Sequence, residues 1–206
     1  MPPLDDSSGI AIVRLQQPST LKDLRKMDII RSESGWEGQI ALSHWNIGRK
    51  HMDKIDANLH RYNLHIADED ELYENNIIKK YKTTYEYTQK HQGYIRDAML
   101  PMLLKYCNEQ IEIFRALLEN KNIGIYHKKR AKEICSRRNS IEQSLALNTV
   151  VFNNVRCNDE IFYVGYVFEW EVDPEHGLGV LTKEAFTCFV GPALTAYCAY
   201  CGMRAV

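Results

Sequence analysis

An α+β fold is expected for this chain: an antiparallel sheet built from N-terminal strands and a C-terminal β-meander, with a central helical segment of about three helices packed on it. Three observations lead there. Residues 161 to 172 alternate without a break, with Phe162, Val164, Tyr166, Phe168, Trp170 and Val172 on one side and Tyr163, Gly165, Val167, Glu169 and Glu171 on the other. That is the period of a half-buried strand. From Asp68 the apolar period turns helical and stays so for about 80 residues. Short β-prone runs bounded by turn residues lie on both sides of this helical stretch.

With 206 residues, 45% of them hydrophobic and 26% charged, the chain can build one sizeable core, and a single domain over residues 1–206 is expected. The 26 Lys and Arg balance 27 Asp and Glu, for a formal net charge of -1. Neither bulk attraction to nucleic acid nor an acidic nucleic-acid mimic fits that balance. Residues 1–6 carry no basic and apolar leader pattern, and no apolar run approaches the roughly 20 residues that span a bilayer. A soluble cytoplasmic protein is the resulting expectation.

In chain order, residues 1–9 form a Pro/Asp/Ser/Gly-rich lead-in, and Ile10-Ala11-Ile12-Val13-Arg14-Leu15 is a first β-prone run. Residues 21–30 suit either a short helix or an irregular strand, and residues 36–42 a further strand, so the N-terminal strands fall within 10–42. The helical region spans 68–147. It opens on Asp68-Glu69-Asp70-Glu71, acids that complement the positive end of a helix dipole. Tyr73, Ile77, Tyr81 and Tyr85 then form a stripe suited to packing on a core.

Gly93 and Pro101 predict a break, with a new helix near Leu100 whose apolar face is Leu103, Leu104, Cys107, Ile111, Phe114, Leu117 and Leu118. Asn120 to Gly124 reads as a stop. A third helix is expected from Tyr126 to Leu147, with Ala131, Ile134, Ile141 and Leu145 turned inward. The C-terminal meander covers 149–191: Thr149 to Phe152, a bulge at Asn153-Asn154, a hairpin turn at Cys157-Asn158-Asp159, the alternating strand, and two more strands at 178–182 and 185–190.

Between the alternating strand and its successor lies Trp170-Glu171-Val172-Asp173-Pro174-Glu175-His176-Gly177-Leu178-Gly179-Val180. Two carboxylates and an imidazole fall there within four residues, a set that can bind a metal or move a proton. Asp173, Glu175 and His176 are therefore the candidate catalytic residues. A structural account is also available: Pro174 starts a turn, Asp173 bonds the following amides, and Gly177 or Gly179 supplies positive φ or a close strand approach.

Other motifs are weak. His44, His51, His60 and His65 are spaced by seven, nine and five, which scatters them around a helix instead of aligning them as metal ligands. The six cysteines read as free thiols; Cys198-Ala199-Tyr200-Cys201 has no second C-x-x-C to complete a zinc site. The basic run from His127 to Lys132, continued at Arg137-Arg138, lacks the aromatic interleaving of single-strand binders and reads as a solvated face. No nucleophile elbow, phosphate loop or dinucleotide fingerprint occurs, so no cofactor is expected.

The aromatic strand Tyr163 to Trp170, then Asp173 to Val180, then Val190-Gly191, together with Trp36-Glu37-Gly38, resembles a bacterial family of domains of unknown function with a C-terminal Asp-x-Glu-His-Gly-Leu-Gly-Val signature. Glu171-Val172 separates Trp170 from Asp173 here, where the family often joins Trp to Asp directly. Some of its relatives look like immunity or accessory proteins of bacterial conflict systems. The resemblance implies a non-catalytic protein-binding module that neutralises a cognate toxin, with a protein partner and with Trp170, Asp173, Pro174, Glu175, His176, Gly177 and Gly179 as fold-signature residues. The alternative is a metal-dependent or acid/base enzyme built on Asp173, Glu175 and His176, with a second histidine arriving from elsewhere, such as His44 or His51. Nucleic acid and membrane are not expected partners.

Overall fold

A computed structural model of the chain describes residues 30–32, 35–45, 61–67, 75–120, 124–136, 141–153 and 160–197. The strands are β1 (Ile30–Ser32), β2 (Gly35–Ala41), β3 (Arg61–Ala67), β4 (Leu145–Asn153), β5 (Tyr163–Trp170), β6 (Leu178–Lys183) and β7 (Phe186–Gly191). They form one sheet in chain order, β1-β2-β3-β4-β5-β6-β7. Two helices, α1 (Asn75–Glu119) and α2 (Ile125–Ser136), lie between β3 and β4. A short 3₁₀ turn, Ala193–Tyr197, follows β7. The α+β architecture is therefore as expected, with a helical segment packed on a sheet that draws strands from both ends of the chain.

The expected antiparallel sheet needs one amendment. Every neighbouring pair is antiparallel except β3 and β4, which run parallel in a register that sets Leu64 against Val150 and Ile66 against Phe152. Parallel neighbours cannot be joined by a tight hairpin, and the connection from β3 to β4 accordingly runs through α1 and α2. The strand at 10–15, the acidic start at 68–71 and the hairpin turn at 157–159 lie outside the described residues.

The expected three helices are two among the described residues. Neither Gly93 nor Pro101 ends a helix: α1 runs through both for 45 residues. Their intrinsic penalties, about 1 and about 3 kcal/mol, are offset by one continuous buried stripe, in which Tyr81, Ile95, Met99, Leu103, Cys107 and Ile111 are at most 1% exposed. Pro101 faces solvent, so its ring meets no neighbouring element.

The expected helix from Tyr126 to Leu147 stops at Ser136. Ala131 and Ile134 do turn inward, but Leu145 opens β4. Its side chain, and that of Ile141, reach the same core by another route.

β4 contains a bulge between Leu147 and Thr149, while of the expected bulge at Asn153-Asn154 the first residue pairs in register with Tyr163 and the second lies outside the described residues. The extra residue changes the strand's phase, so Leu147 and Val150, three apart, both face the core alongside Leu145 and Phe152. The alternating strand is as read: Phe162, Val164, Tyr166, Phe168, Trp170 and Val172 are each no more than 3% exposed. Helix α1 is stitched to the start of β5 by the Thr84 hydroxyl, which accepts from Phe162 N at 3.0 Å and donates to Lys80 O at 2.8 Å. Tyr81 packs beside it, its ring tilted 44° to that of Phe162 with centroids 4.4 Å apart. The Tyr62 hydroxyl donates to Trp45 O at 2.7 Å, and Trp45 stacks on Tyr166 at 4.9 Å.

The opposite face of the sheet carries glycine where the 3₁₀ turn sits. A β-carbon on Gly165 would lie 2.6 Å from Ala196 C and 2.9 Å from its Cα; one on Gly179 would lie 2.7 Å from Ala193 O, Ala196 N and Pro192 O. Ala196 is fully buried against this platform, and its carbonyl accepts a bond from Asn153 Nδ2 at 2.8 Å. Leu181, Tyr163 and Phe189 form a small separate apolar cluster.

Candidate functional site

The corner between β5 and β6 brings together the three residues that the sequence singled out. Trp170 and Val172 are buried and pin its start to the core. Asp173 N donates to Trp170 O at 3.0 Å, and Gly177 N donates back to Asp173 O at 2.9 Å. Gly177 has φ 58°, the left-handed conformation that glycine adopts at no steric cost. Pro174, Glu175 and His176 are exposed on the resulting loop. Gly179, already in β6, serves the 3₁₀ turn and not the loop.

Within this loop, ligand atoms of Asp173, Glu175 and His176 all lie within 4.8 Å of one another, the one such group among the described residues. His176 Nδ1 is 3.0 Å from both carboxylate oxygens of Asp173. A carboxylate only accepts, so Nδ1 is the donor in this pair. The side chain of Asp173 is 19% exposed and that of His176 66%. The group is thus a held imidazole standing in water, with one carboxylate orienting it and a second beside it.

Three contributors were not legible as such. His176 O accepts from Ala193 N at 3.3 Å, which ties the corner to the 3₁₀ turn. Tyr106 of α1 is half-buried near Asp173; burial raises its hydroxyl pKa, as do Cys107 and the Asp173 charge. The glycine platform that seats the turn is the third, and its signal was small residues at Gly165, Gly179 and Gly191, one on each of three successive strands.

Among the described residues no second histidine joins the group. His44 is exposed, its N bonded to Gln92 Oε1 at 3.0 Å and its O to Arg96 Nη1 at 2.7 Å, both on α1. His65 lies on the other face of the sheet from the core, 6.0 Å edge-on to Tyr197. His51 and the pair Cys198 and Cys201 lie outside the described residues. Cys107, Cys135 and Cys188 are free thiols; burial pushes Cys107 up to about 12 and raises Cys188, so neither is an activated nucleophile.

On α2, Lys129 and Lys132 are exposed and Lys128 is half-buried, the pattern of a solvated face. No helix among the described residues is long and apolar enough to cross a membrane. No protein-family model, curated protein or solved structure matches the chain.

Proposed function

We propose that the β5–β6 corner is the working site and that the chain is a metal-dependent or acid/base protein, with Asp173, Glu175 and His176 as ligands of a divalent cation of the zinc type. The observation that supports it is the convergence of one imidazole and two carboxylates within 4.8 Å. Two ligands of a tetrahedral ion with bond lengths of about 2.0–2.1 Å stand roughly 3.4 Å apart. The 3.0 Å between His176 Nδ1 and Asp173 therefore has to open by only a few tenths of an ångström when an ion replaces the Nδ1 proton. Three protein ligands leave a fourth position for water, the arrangement in which zinc generates hydroxide near neutral pH. Because the ion competes with a proton, binding tightens as pH rises.

Isothermal titration with Zn²⁺, repeated with Co²⁺ for its visible spectrum, tests this reading. One ion per chain is expected, with affinity lowered at least tenfold in H176A and E175Q and unchanged in C198S/C201S, which removes the C-terminal thiol pair. Binding that ignores H176A, or none below millimolar concentration, removes the reading.

A second reading is the protein-binding module that the family resemblance implies, such as an immunity protein that neutralises a cognate toxin. One observation favours it. The 3₁₀ turn bonded to the corner exposes two large apolar side chains, Leu194 at 74% and Tyr197 at 40%, the kind of anchor that dominates protein interfaces. It predicts copurification with, and protection from, the product of an adjacent gene, both lost in L194D. A neighbour that neither binds nor poisons cells sinks it.

A further inference from the structure

The cation corner and the 3₁₀ turn meet at one peptide unit, the one that joins His176 to Gly177. Both of its polar groups are bonded: Gly177 N donates to Asp173 O at 2.9 Å, and His176 O accepts from Ala193 N at 3.3 Å. The first bond closes the corner on itself, and the second reaches the turn Ala193–Tyr197. Within that turn Thr195 N donates to Pro192 O at 2.8 Å. Pro192 is therefore its cap and Ala193 its first residue, whose amide the turn itself leaves without a partner and His176 satisfies.

The far side of that contact is anchored. A β-carbon on Gly179 would lie 2.7 Å from Pro192 O, Ala193 O and Ala196 N, and Asn153 Nδ2 donates to Ala196 O at 2.8 Å. The turn thus lies with its backbone directly on β6 and is bonded to β4. A peptide unit is planar and moves as one body, so a bond to its oxygen and another to its nitrogen fix its tilt, and with it the Cα of His176 from which the imidazole projects. Without Ala193 the unit keeps only its bond to Asp173 O, about which it can rock. The ligand atoms of Asp173, Glu175 and His176 stand within 4.8 Å of one another, a spacing that a rocking anchor loosens.

We propose that the 3₁₀ turn is a positioning element of the cation site: seating of Ala193–Tyr197 on the glycine platform and binding of an ion by Asp173, Glu175 and His176 are linked through the bond from Ala193 N to His176 O. The proposal rests on the cation reading of the corner and adds its regulation, since whatever lifts the turn loosens the site. Ala193 is a positioning residue, touching no ion and acting through the His176 backbone. The linkage is reciprocal: the factor by which a seated turn tightens ion binding is the factor by which the ion protects the turn from opening.

The test is zinc titration of the unaltered chain, A193P and A193S, with amide exchange followed by NMR in the unaltered chain with and without saturating Zn²⁺. Proline suits the first position of a turn, but its ring replaces the N–H that His176 O accepts; serine keeps that amide. A193P is expected to lower affinity about tenfold and A193S to leave it within about twofold, while zinc slows exchange of the Ala193 amide by the same factor of about ten. Circular dichroism checks that both variants fold, and the exchange measurement on the unaltered chain decides the matter should A193P not fold. Absence of zinc binding by the unaltered chain removes the cation reading and the linkage with it. Zinc bound equally well by A193P, an affinity loss in A193S equal to that in A193P, or an Ala193 amide whose exchange ignores zinc overturns the linkage alone.

Discussion

Gly165→Ala is the sharpest probe of the platform under the 3₁₀ turn. The added carbon falls against backbone, 2.6 Å from Ala196 C and 2.9 Å from Ala196 Cα, where an ordinary contact is 3.4 Å or more. Backbone cannot rotate away as a side chain can, so the turn must lift. Lifting it breaks the bond from Asn153 Nδ2 to Ala196 O and leaves a carboxamide that is 3% exposed without its acceptor. Losing a buried partner costs about 1–3 kcal/mol and overpacking a close contact about as much again, so a loss of about 2–6 kcal/mol is expected. That is a large fraction of the roughly 5–15 kcal/mol that holds a domain folded. Urea unfolding followed by tryptophan fluorescence measures it. Gly191→Ala is the internal control: its added carbon meets the Thr195 hydroxyl, the end of a side chain that can turn, and a milder loss is expected. A Gly165→Ala protein within about 0.5 kcal/mol of the unaltered one refutes the platform.

Thr84→Val removes the acceptor of Phe162 N at a buried site and should cost about 1–3 kcal/mol in the same urea assay. Pro101→Ala restores a helix-interior amide at an exposed position; against an unfolded-state offset of about 0.4–1 kcal/mol, thermal or urea unfolding should show a net gain of about 2–2.6 kcal/mol. Cys107 ionises at 9.0 in the open chain and at about 12 when buried. Its contribution is therefore intact below pH 9 and declines above it, by up to about 1.4 kcal/mol per pH unit, until the folded thiol ionises too. The alkaline slope of stability should flatten in Cys107→Ala. Asp173→Asn keeps the shape of the corner but replaces a charged ligand oxygen with a neutral amide, and zinc titration should show affinity lowered at least tenfold.

Legibility in the sequence followed how local each cause is. The strand at 163–170 was readable because one of its faces is buried in the core throughout, so period two is written into every residue. Asp173, Glu175 and His176 could be named together because one turn holds all three. Strand β3 carries a similar alternation in Tyr62, Leu64 and Ile66, but the histidines around it drew the reading towards helix faces. The unbroken α1 was not legible, since Gly93 and Pro101 are local breakers and the burial that overrides them belongs to the sheet. Leu145 kept a helical spacing with Ile141 yet begins β4. The glycine platform depends on the register of three strands, which no single stretch encodes.

The parallel joint between β3 and β4 has a consequence for the chain as it is made. β1, β2 and β3 leave the ribosome first, yet β4, the inner neighbour of β3, begins at Leu145, about 80 residues later. At roughly 5–20 residues per second that is a wait on the order of 4 to 16 s. Throughout it the edge of β3 that receives β4 has no partner strand, while α1, made in the interval, supplies the helix residues that share a core with Tyr62, Leu64 and Ile66. The four strands from β4 to β7 need no such delay, because each pairs with the next as it emerges. The β3 edge is therefore open to pairing with another chain for as long as β4 is still being made.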